Sequence, residues 1–514
     1  MKPGHPADHA TLPSKNRRGL AGGQLLPSAR SKGSTTSMTE HAPVHTLSAE
    51  TLESLRTLPV MPAVSAGVCS CPIKLVGSST TVDKYTGEVV SSFASAQLPG
   101  GRLTIACGNR RQTVCPACSR IYAGDAFQLI STGLFGGKSI PLTVSGNPRV
   151  FATFTAPSFG AVHLGPNKKG VARPCHPRRD GSGCNRWHRA GDPAVGTPLD
   201  PSAYDYVGAV LWNASSSALW ARFTINLRRD LARLAGLTVA EFRAQASMAY
   251  AKVAEYQARG SIHFHAVVRI DGPDGPGSTA PAWASHELLT DAIRVASLRS
   301  AVTTPATHET PPVAIEFGTQ VDVRAIKSDA LATGDVTERA VAGYIAKYAT
   351  KSAHSSGTLD RSVCCRECVG AGHHGTYQFQ GREIRRVCRR CLGTGLAVDL
   401  AGLKLSAHLR RMIETSFRLG DAEEFAALKL RRWAHMLGFR GHFLTKARRY
   451  SITFATLREA RREHARQERN EYLVAFGLLE PDAPDVSETV VIGEWSYAGR
   501  EIRSSARTQS GGAP

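Results

Sequence analysis

Two stretches place reactive side chains at spacings suited to phosphoryl-transfer chemistry. In the first, Glu255 is followed by His263-Phe264-His265. Strand geometry alternates side chains, so the two imidazoles share one face and Phe264 takes the other. Ala258-Arg259-Gly260 reads as a three-residue hairpin loop, with Gly260 where positive φ is needed. That register sets Glu255 opposite His263 on the same face. Two imidazoles and a carboxylate, open on one side, suit a catalytic divalent cation better than a closed structural zinc. Alone, His-x-His is as consistent with a strand carrying two incidental histidines, so a partner is required.

The partner is Val341-Ala342-Gly343-Tyr344-Ile345-Ala346-Lys347-Tyr348-Ala349-Thr350-Lys351. On a helix, Tyr344, Lys347, Tyr348 and Lys351 fall within an arc of roughly 100°. Val341, Ile345 and Ala349 occupy the neighbouring arc and can pack on a sheet. Phenol is a weak nucleophile that metal, base or nearby cations activate, and ammonium groups steady phosphate charge. An ordinary amphipathic helix with half-buried tyrosines and solvated lysines has the same pattern. With the hairpin, the helix describes one reaction: a metal polarises a phosphodiester while a tyrosine attacks it. The products are a 5′-phosphotyrosine and a free 3′-OH, and resealing needs no ATP.

Several elements must position these groups. Val150-Phe151-Ala152-Thr153-Phe154-Thr155-Ala156 alternates as a strand and Pro157-Ser158-Phe159-Gly160 stops it. A polar insertion carries Cys175, His176, Cys184 and His188. Leu219 to Leu234 reads as a helix with an Arg-rich face. Met248–Tyr256 and Ile262–Ile270 are the hairpin arms. A surface insertion from Asp271 holds one helix between Ser285 and Ala301, and strands return at Ala314–Phe317 and Gln320–Ala325. Asp335, with Glu338 three residues on, reads as a capping box for a helix from Val336 to about Ser352. From Val68 to Leu129 the chain reads as short β-like runs. Thr132-Gly133-Leu134-Phe135-Gly136-Gly137-Lys138-Ser139 resembles a phosphate loop but has Thr132 where the first Gly belongs, so it reads as a Gly-rich turn and no ATPase is expected.

The 514 residues imply several domains. With 63 Lys+Arg against 42 Asp+Glu the net charge is +21, which favours an anionic partner, above all nucleic acid. No apolar run approaches a membrane span and Met1-Lys2-Pro3-Gly4-His5 starts no secretory signal, so a cytoplasmic protein with no membrane partner is expected. The 12 cysteines then point to metal rather than disulfides. Cys365-x-x-Cys368 and Cys388-x-x-Cys391, each followed by Gly-x-Gly, form a structural zinc pattern that resembles the knuckles of DnaJ-type cochaperones. Cys107, Cys115 and Cys118, with Cys69 or Cys71, make a second candidate; Cys175, Cys184 and His188 make a third that lacks a partner. Arg431-Arg432-Trp433, Arg440, His442, Lys446, Arg448 and Arg449, interleaved with aromatics, read as a DNA-contacting surface.

These residues carry a family resemblance. His263-Phe264-His265 ahead of Tyr344-x-x-Lys347-Tyr348, with Phe151-Ala152-Thr153-Phe154-Thr155 as the first motif, resembles rolling-circle replication initiators of the His-hydrophobe-His (HUH) endonuclease superfamily. Glu255 matches the position of the third metal ligand in related initiators. More narrowly, Ala106-Cys107-Gly108-Asn109-Arg110-Arg111, Thr155-Ala156-Pro157-Ser158-Phe159-Gly160, Tyr204-Asp205-Tyr206 and Gly438-Phe439-Arg440-Gly441-His442-Phe443 resemble initiators of actinobacterial integrative-conjugative elements and plasmids. The likeness covers about 65–460.

The resemblance implies an α+β fold: an HUH-type antiparallel sheet flanked by helices, with zinc-knuckle insertions and a basic helical C-terminal region. The implied division is a disordered arm (1–62), a Cys-containing module (63–145), a nicking domain (146–353) with insertions at 161–215 and 272–312, the knuckle (360–396), a DNA-contacting region (397–499) and a disordered tail (500–514). Implied cofactors are catalytic Mg²⁺ or Mn²⁺ and structural Zn²⁺. Implied partners are origin DNA, single-stranded or cruciform at the nick, and a host helicase and polymerase. One-tyrosine plasmid initiators imply Tyr348 as first nucleophile and Tyr344 for the second transfer. The family pattern also has cysteines just before Tyr204, where this chain has Leu199-Asp200-Pro201-Ser202-Ala203. A relaxase or transposase of the superfamily, or a zinc-stabilised regulator without nicking, are the alternatives; relaxases usually place the tyrosine before the histidines.

Overall fold

The computed structural model describes residues 68–167, 170–178, 183–327, 336–350, 359, 361–475 and 489–501. The arm at 1–62, Lys351, Asp335 and the tail from 502 lie outside these residues.

The chain opens with β1 (Ile73–Asp83), β2 (Val89–Ala94) and β3 (Leu103–Ile105). Helix α1 (Pro116–Phe135) follows, then β4 (Arg149–Phe154), α2 (Tyr206–Leu234) and α3 (Val239–Gln245). The hairpin is β5 (Ser247–Tyr256) and β6 (Ile262–Asp271). Next come α4 (His286–Leu298), β7 (Ala301–Thr303), β8 (Ala314–Glu316), β9 (Val321–Lys327), β10 (Val336–Thr337) and α5 (Glu338–Thr350). After β11 (His373–Phe379) and β12 (Arg382–Val387) lie α6 (Ala407–Leu419), a run of short helical turns, β13 (Leu444–Lys446), α7 (Phe454–Ala475) and β14 (Thr489–Arg500).

The fold mixes helices with mainly antiparallel sheet, as an α+β reading requires. A six-stranded sheet in the order β10-β9-β4-β6-β5-β13 forms the centre. Only the β9–β10 pairing is parallel. Along β6, Ile262, Phe264, Ala266, Val268 and Ile270 face α2, which buries Trp212, Leu219, Trp220, Phe223 and Leu227 against them. Each such side chain contributes about 1.5–3 kcal/mol by leaving water. The opposite face carries Ala249, Ala251, Val253 and Val267 and is covered by α1 and α5. The site therefore lies between the sheet and α5.

Several expectations are corrected. Residues 116–135 are helix rather than short β-like runs. Ser119, Gly124, Ser131 and Thr132 are weak helix formers, and packing on α5 overrides them. The Gly-rich turn starts only at Gly136; Gly133 sits inside α1, where a Cβ would meet the Tyr450 ring at 2.2 Å. The helix beginning at Leu219 in the sequence reading begins at Tyr206, capped by Asp205, whose carboxylate accepts the Gly208 N–H at 2.7 Å. The capping box at Asp335 does not form: Val336–Thr337 is strand, α5 starts at Glu338, and Thr337 Oγ1 accepts the Ala340 N–H at 3.1 Å. Glu338 pairs instead with the buried Arg149, fixing α5 to β4. The C-terminal region is not only helical, since β14 returns to pair along β1.

Candidate metal and nucleophile site

The hairpin forms in the expected register, with Glu255 opposite His263 and Tyr256 opposite Ile262. Gly260 takes φ 76°, and Gln257 N–H donates to Ser261 O at 2.9 Å across the loop. Helix α2 holds this loop from behind. Buried Asn213 donates to Gly260 O at 2.9 Å and accepts the Ile262 N–H at 2.9 Å, while Trp212 Nε1 donates to Ile262 O at 2.9 Å. Sequence reasoning did not find Asn213, because a lone amide inside an apolar helix gives no periodic signal.

The structure brings together Glu255, His263 and His265. Glu255 Oε2 lies 3.0 Å from His263 Nε2 and 3.3 Å from His265 Nε2, and the two Nε2 atoms are 3.2 Å apart. Donors at about 2.0–2.2 Å from one ion are separated by about 3 Å, so the triad fits a divalent cation. Thr153 Oγ1 is 3.1 Å from His265 Nδ1, and the Phe151 ring stacks on His265 at 5.8 Å. Alternation along β4 put Phe151 and Thr153 on one face, so this partner was available in the sequence and was missed.

Helix α5 brings the tyrosines to the same place. Val341, Ile345 and Ala349 are buried on the sheet, as the spacing requires. Tyr344 OH lies 3.0 Å from His265 Nε2 and its ring 4.4 Å from that of Tyr348. Burial, then the Glu255 charge and Tyr348, push the Tyr344 hydroxyl above its ordinary value. Lys347 is exposed, its ammonium 5.9 Å from the Tyr348 ring centroid.

Two four-cysteine sets are drawn together. Cys365 and Cys388 sulfurs are 3.9 Å apart, and those of Cys368 and Cys391 are 3.6 Å apart. Cys69, not Cys71, completes the N-terminal set, at 3.8 Å from both Cys115 and Cys118, with Cys107 3.7 Å from Cys118. Tetrahedral Zn–S bonds of about 2.3 Å demand sulfurs about 3.8 Å apart, so both sets fit zinc. Burial works to raise Cys115, but the Cys118 and Ser70 amides and neighbouring thiols outweigh it and draw it down to about 6. The Cys368 amide leads in lowering Cys365 to about 7. Such thiols ionise readily, as metal ligation requires.

The basic residues separate. His442 lines a cavity of about 490 Å³ with Asn109, Arg110, Arg111, Trp433 and His435. Trp433 and His435 stack at 6.0 Å, and Arg110 bonds Ala349 O at the end of α5 at 3.1 Å. Arg448 is exposed, as is Arg440, which also bonds Ala427 O. Lys446 turns inward to Ser451 O at 2.8 Å, and Arg449 bonds Pro273 O at 3.1 Å.

Among the described residues no helix is long and apolar enough to cross a membrane. No solved structure matches the chain. A replication initiator protein of Streptomyces ambofaciens is 42% identical over 438 residues, covering 84% of each chain. The family model described as "Replication initiator protein, pSAM2" matches residues 61–509, and the chain belongs to that family.

Proposed function

We propose that this initiator nicks one strand of a double-strand replication origin, joins the 5′ phosphate to a tyrosine, and later rejoins the strand. The observation that carries this reading is the Tyr344 hydroxyl 3.0 Å from His265 Nε2, beside Glu255 and His263. A divalent cation, Mg²⁺ or Mn²⁺, held by Glu255, His263 and His265 would polarise the scissile phosphodiester. Tyr344 Oη bonds to phosphorus and the P–O3′ bond breaks; the phenol gives up its proton and the 3′ oxygen gains one. The phosphotyrosine ester keeps the bond energy, so the reverse transfer needs no nucleotide. Tyr348, packed on Tyr344, takes the second transfer. This order reverses the one implied by one-tyrosine initiators and follows the proximity of Tyr344 to the triad. Lys347 and the cavity around Trp433 and His442 supply charge and stacking for unpaired DNA. The free 3′-OH would then serve a host polymerase behind a host helicase.

The test is a single-stranded origin oligonucleotide incubated with protein and Mn²⁺, with the covalent peptide mapped by mass spectrometry. A Tyr344 or Tyr348 adduct that His263→Ala abolishes, while origin binding survives, is expected. Binding with no adduct under any divalent metal would leave a DNA-binding regulator instead.

A further inference from the structure

The insertion between β4 and α2 contains little regular structure, yet buries a thiol and an imidazole. Cys175 and His188 are each 3% exposed. They do not stand alone. His163 Nδ1 lies 3.7 Å from Cys175 Sγ and 3.2 Å from His188 Nε2, and Cys184 Sγ lies 3.5 Å from His188 Nε2. One ligand atom from each of these four residues falls within 4.8 Å of all the others.

We propose that His163, Cys175, Cys184 and His188 form a third zinc site, structural and closed. A tetrahedral ion with Zn–S about 2.3 Å and Zn–N about 2.0–2.1 Å sets nitrogen and sulfur about 3.5 Å apart and two nitrogens about 3.3 Å apart. The observed separations match both. The surroundings are those of a ligated metal. Asp192 Oδ2 lies 2.7 Å from His188 Nδ1, which leaves Nε2 turned to the cage, the carboxylate–histidine arrangement of zinc centres. The Leu164 N–H donates to Cys175 Sγ at 3.1 Å. A short antiparallel bridge, His176 N–H to Cys184 O at 2.8 Å, holds the two cysteines side by side. His163 is the ligand that the Cys and His spacing did not reveal, lying 12 residues before Cys175. It makes cysteines ahead of Tyr204 unnecessary.

The site has a mechanical consequence. His163 exchanges backbone hydrogen bonds with Thr197 and Gly196 at 2.8 and 2.9 Å. Gly196 in turn presses on the hairpin loop, where a Cβ would meet Ala258 backbone at 2.4 Å. Arg259, from the same loop, donates to Ala156 and Pro157 carbonyls at 2.8 Å each. The ion would thus brace the turn that joins Glu255 to His263, and one wall of the cavity of about 790 Å³ beside it.

The test is zinc content by mass spectrometry on full-length protein after dialysis against metal-free buffer. His163→Ala and Cys184→Ser are each expected to lose one zinc per chain relative to the unaltered protein, while His176→Ala loses none. His163→Cys is expected to keep the full count and, with Co²⁺ in place of zinc, to gain thiolate-to-cobalt absorption. Because that variant preserves ligation, it decides the matter even where His163→Ala fails to fold. An unchanged zinc count in both His163→Ala and Cys184→Ser overturns the site. So does a cobalt spectrum indifferent to His163→Cys, or loss of zinc from His176→Ala with retention in His163→Ala. None of these readouts depends on DNA cleavage, so they stand apart from the nicking reading.

Discussion

Thr153→Val tests how the fold prepares His265 for a cation. Valine matches threonine in shape but lacks the hydroxyl 3.1 Å from His265 Nδ1. Without metal the ring proton can sit on Nε2, facing Glu255 Oε2 at 3.3 Å. A cation needs the Nε2 lone pair and drives the proton to Nδ1, where Thr153 accepts it. In the variant that N–H meets a methyl group in a site where His265 is only 4% exposed. An unsatisfied buried donor costs about 1–3 kcal/mol. Loss of an outer partner of a metal-bound histidine costs about 10–100-fold in affinity, roughly 1.4–2.8 kcal/mol. The two routes agree, so calorimetric Mn²⁺ binding should weaken by about 10–100-fold, with most of the adduct yield recovered at saturating Mn²⁺. An Mn²⁺ affinity within about twofold of the unaltered protein would refute the argument that Thr153 sets the tautomer.

Three further outcomes follow from other parts of the molecule. Tyr344→Phe should lose the covalent adduct on a single-stranded origin oligonucleotide while Tyr348→Phe retains it and fails to release closed circles; equal nicking by both single variants would show that the tyrosines are interchangeable. Trp433→Ala should weaken binding of that oligonucleotide by about 1–3 kcal/mol without changing the salt dependence, because stacking rather than charge is removed; unaltered affinity would take the 490 Å³ cavity out of the DNA path. Lys252 is buried, its ammonium 4.0 Å from the Phe264 ring centroid, and burial lowers it to about 7. Between that value and about 10.4 for the unfolded chain, the unfolded state binds more protons, so this contribution is present at high pH and fades as pH falls to about 7. Lys252→Met should therefore raise stability at neutral pH and flatten its rise toward pH ~10 in urea unfolding; an unchanged slope would refute the assignment.

The sequence by itself determined what depends on short-range periodicity. Alternation put His263 and His265 on one face, the three-residue loop put Glu255 opposite, and helical spacing grouped Tyr344 with Tyr348. These relations are set by backbone geometry within one hairpin or one helix, and the structure keeps them. The paired Cys-x-x-Cys knuckles were legible for the same reason. Relations between distant segments were not. Nothing local says that α1 is a helix, since its glycines, serines and cysteines are poor helix formers and only contact with α5 makes it one. Nothing local couples Asn213 to Gly260, Thr153 to His265, Arg149 to Glu338, or His163 to Cys175 and His188. Each of those pairs satisfies a buried polar group with a partner supplied by another element. A buried donor or acceptor takes whichever partner the packed chain brings within about 3 Å, and that choice is made only when helices and sheet close on one another.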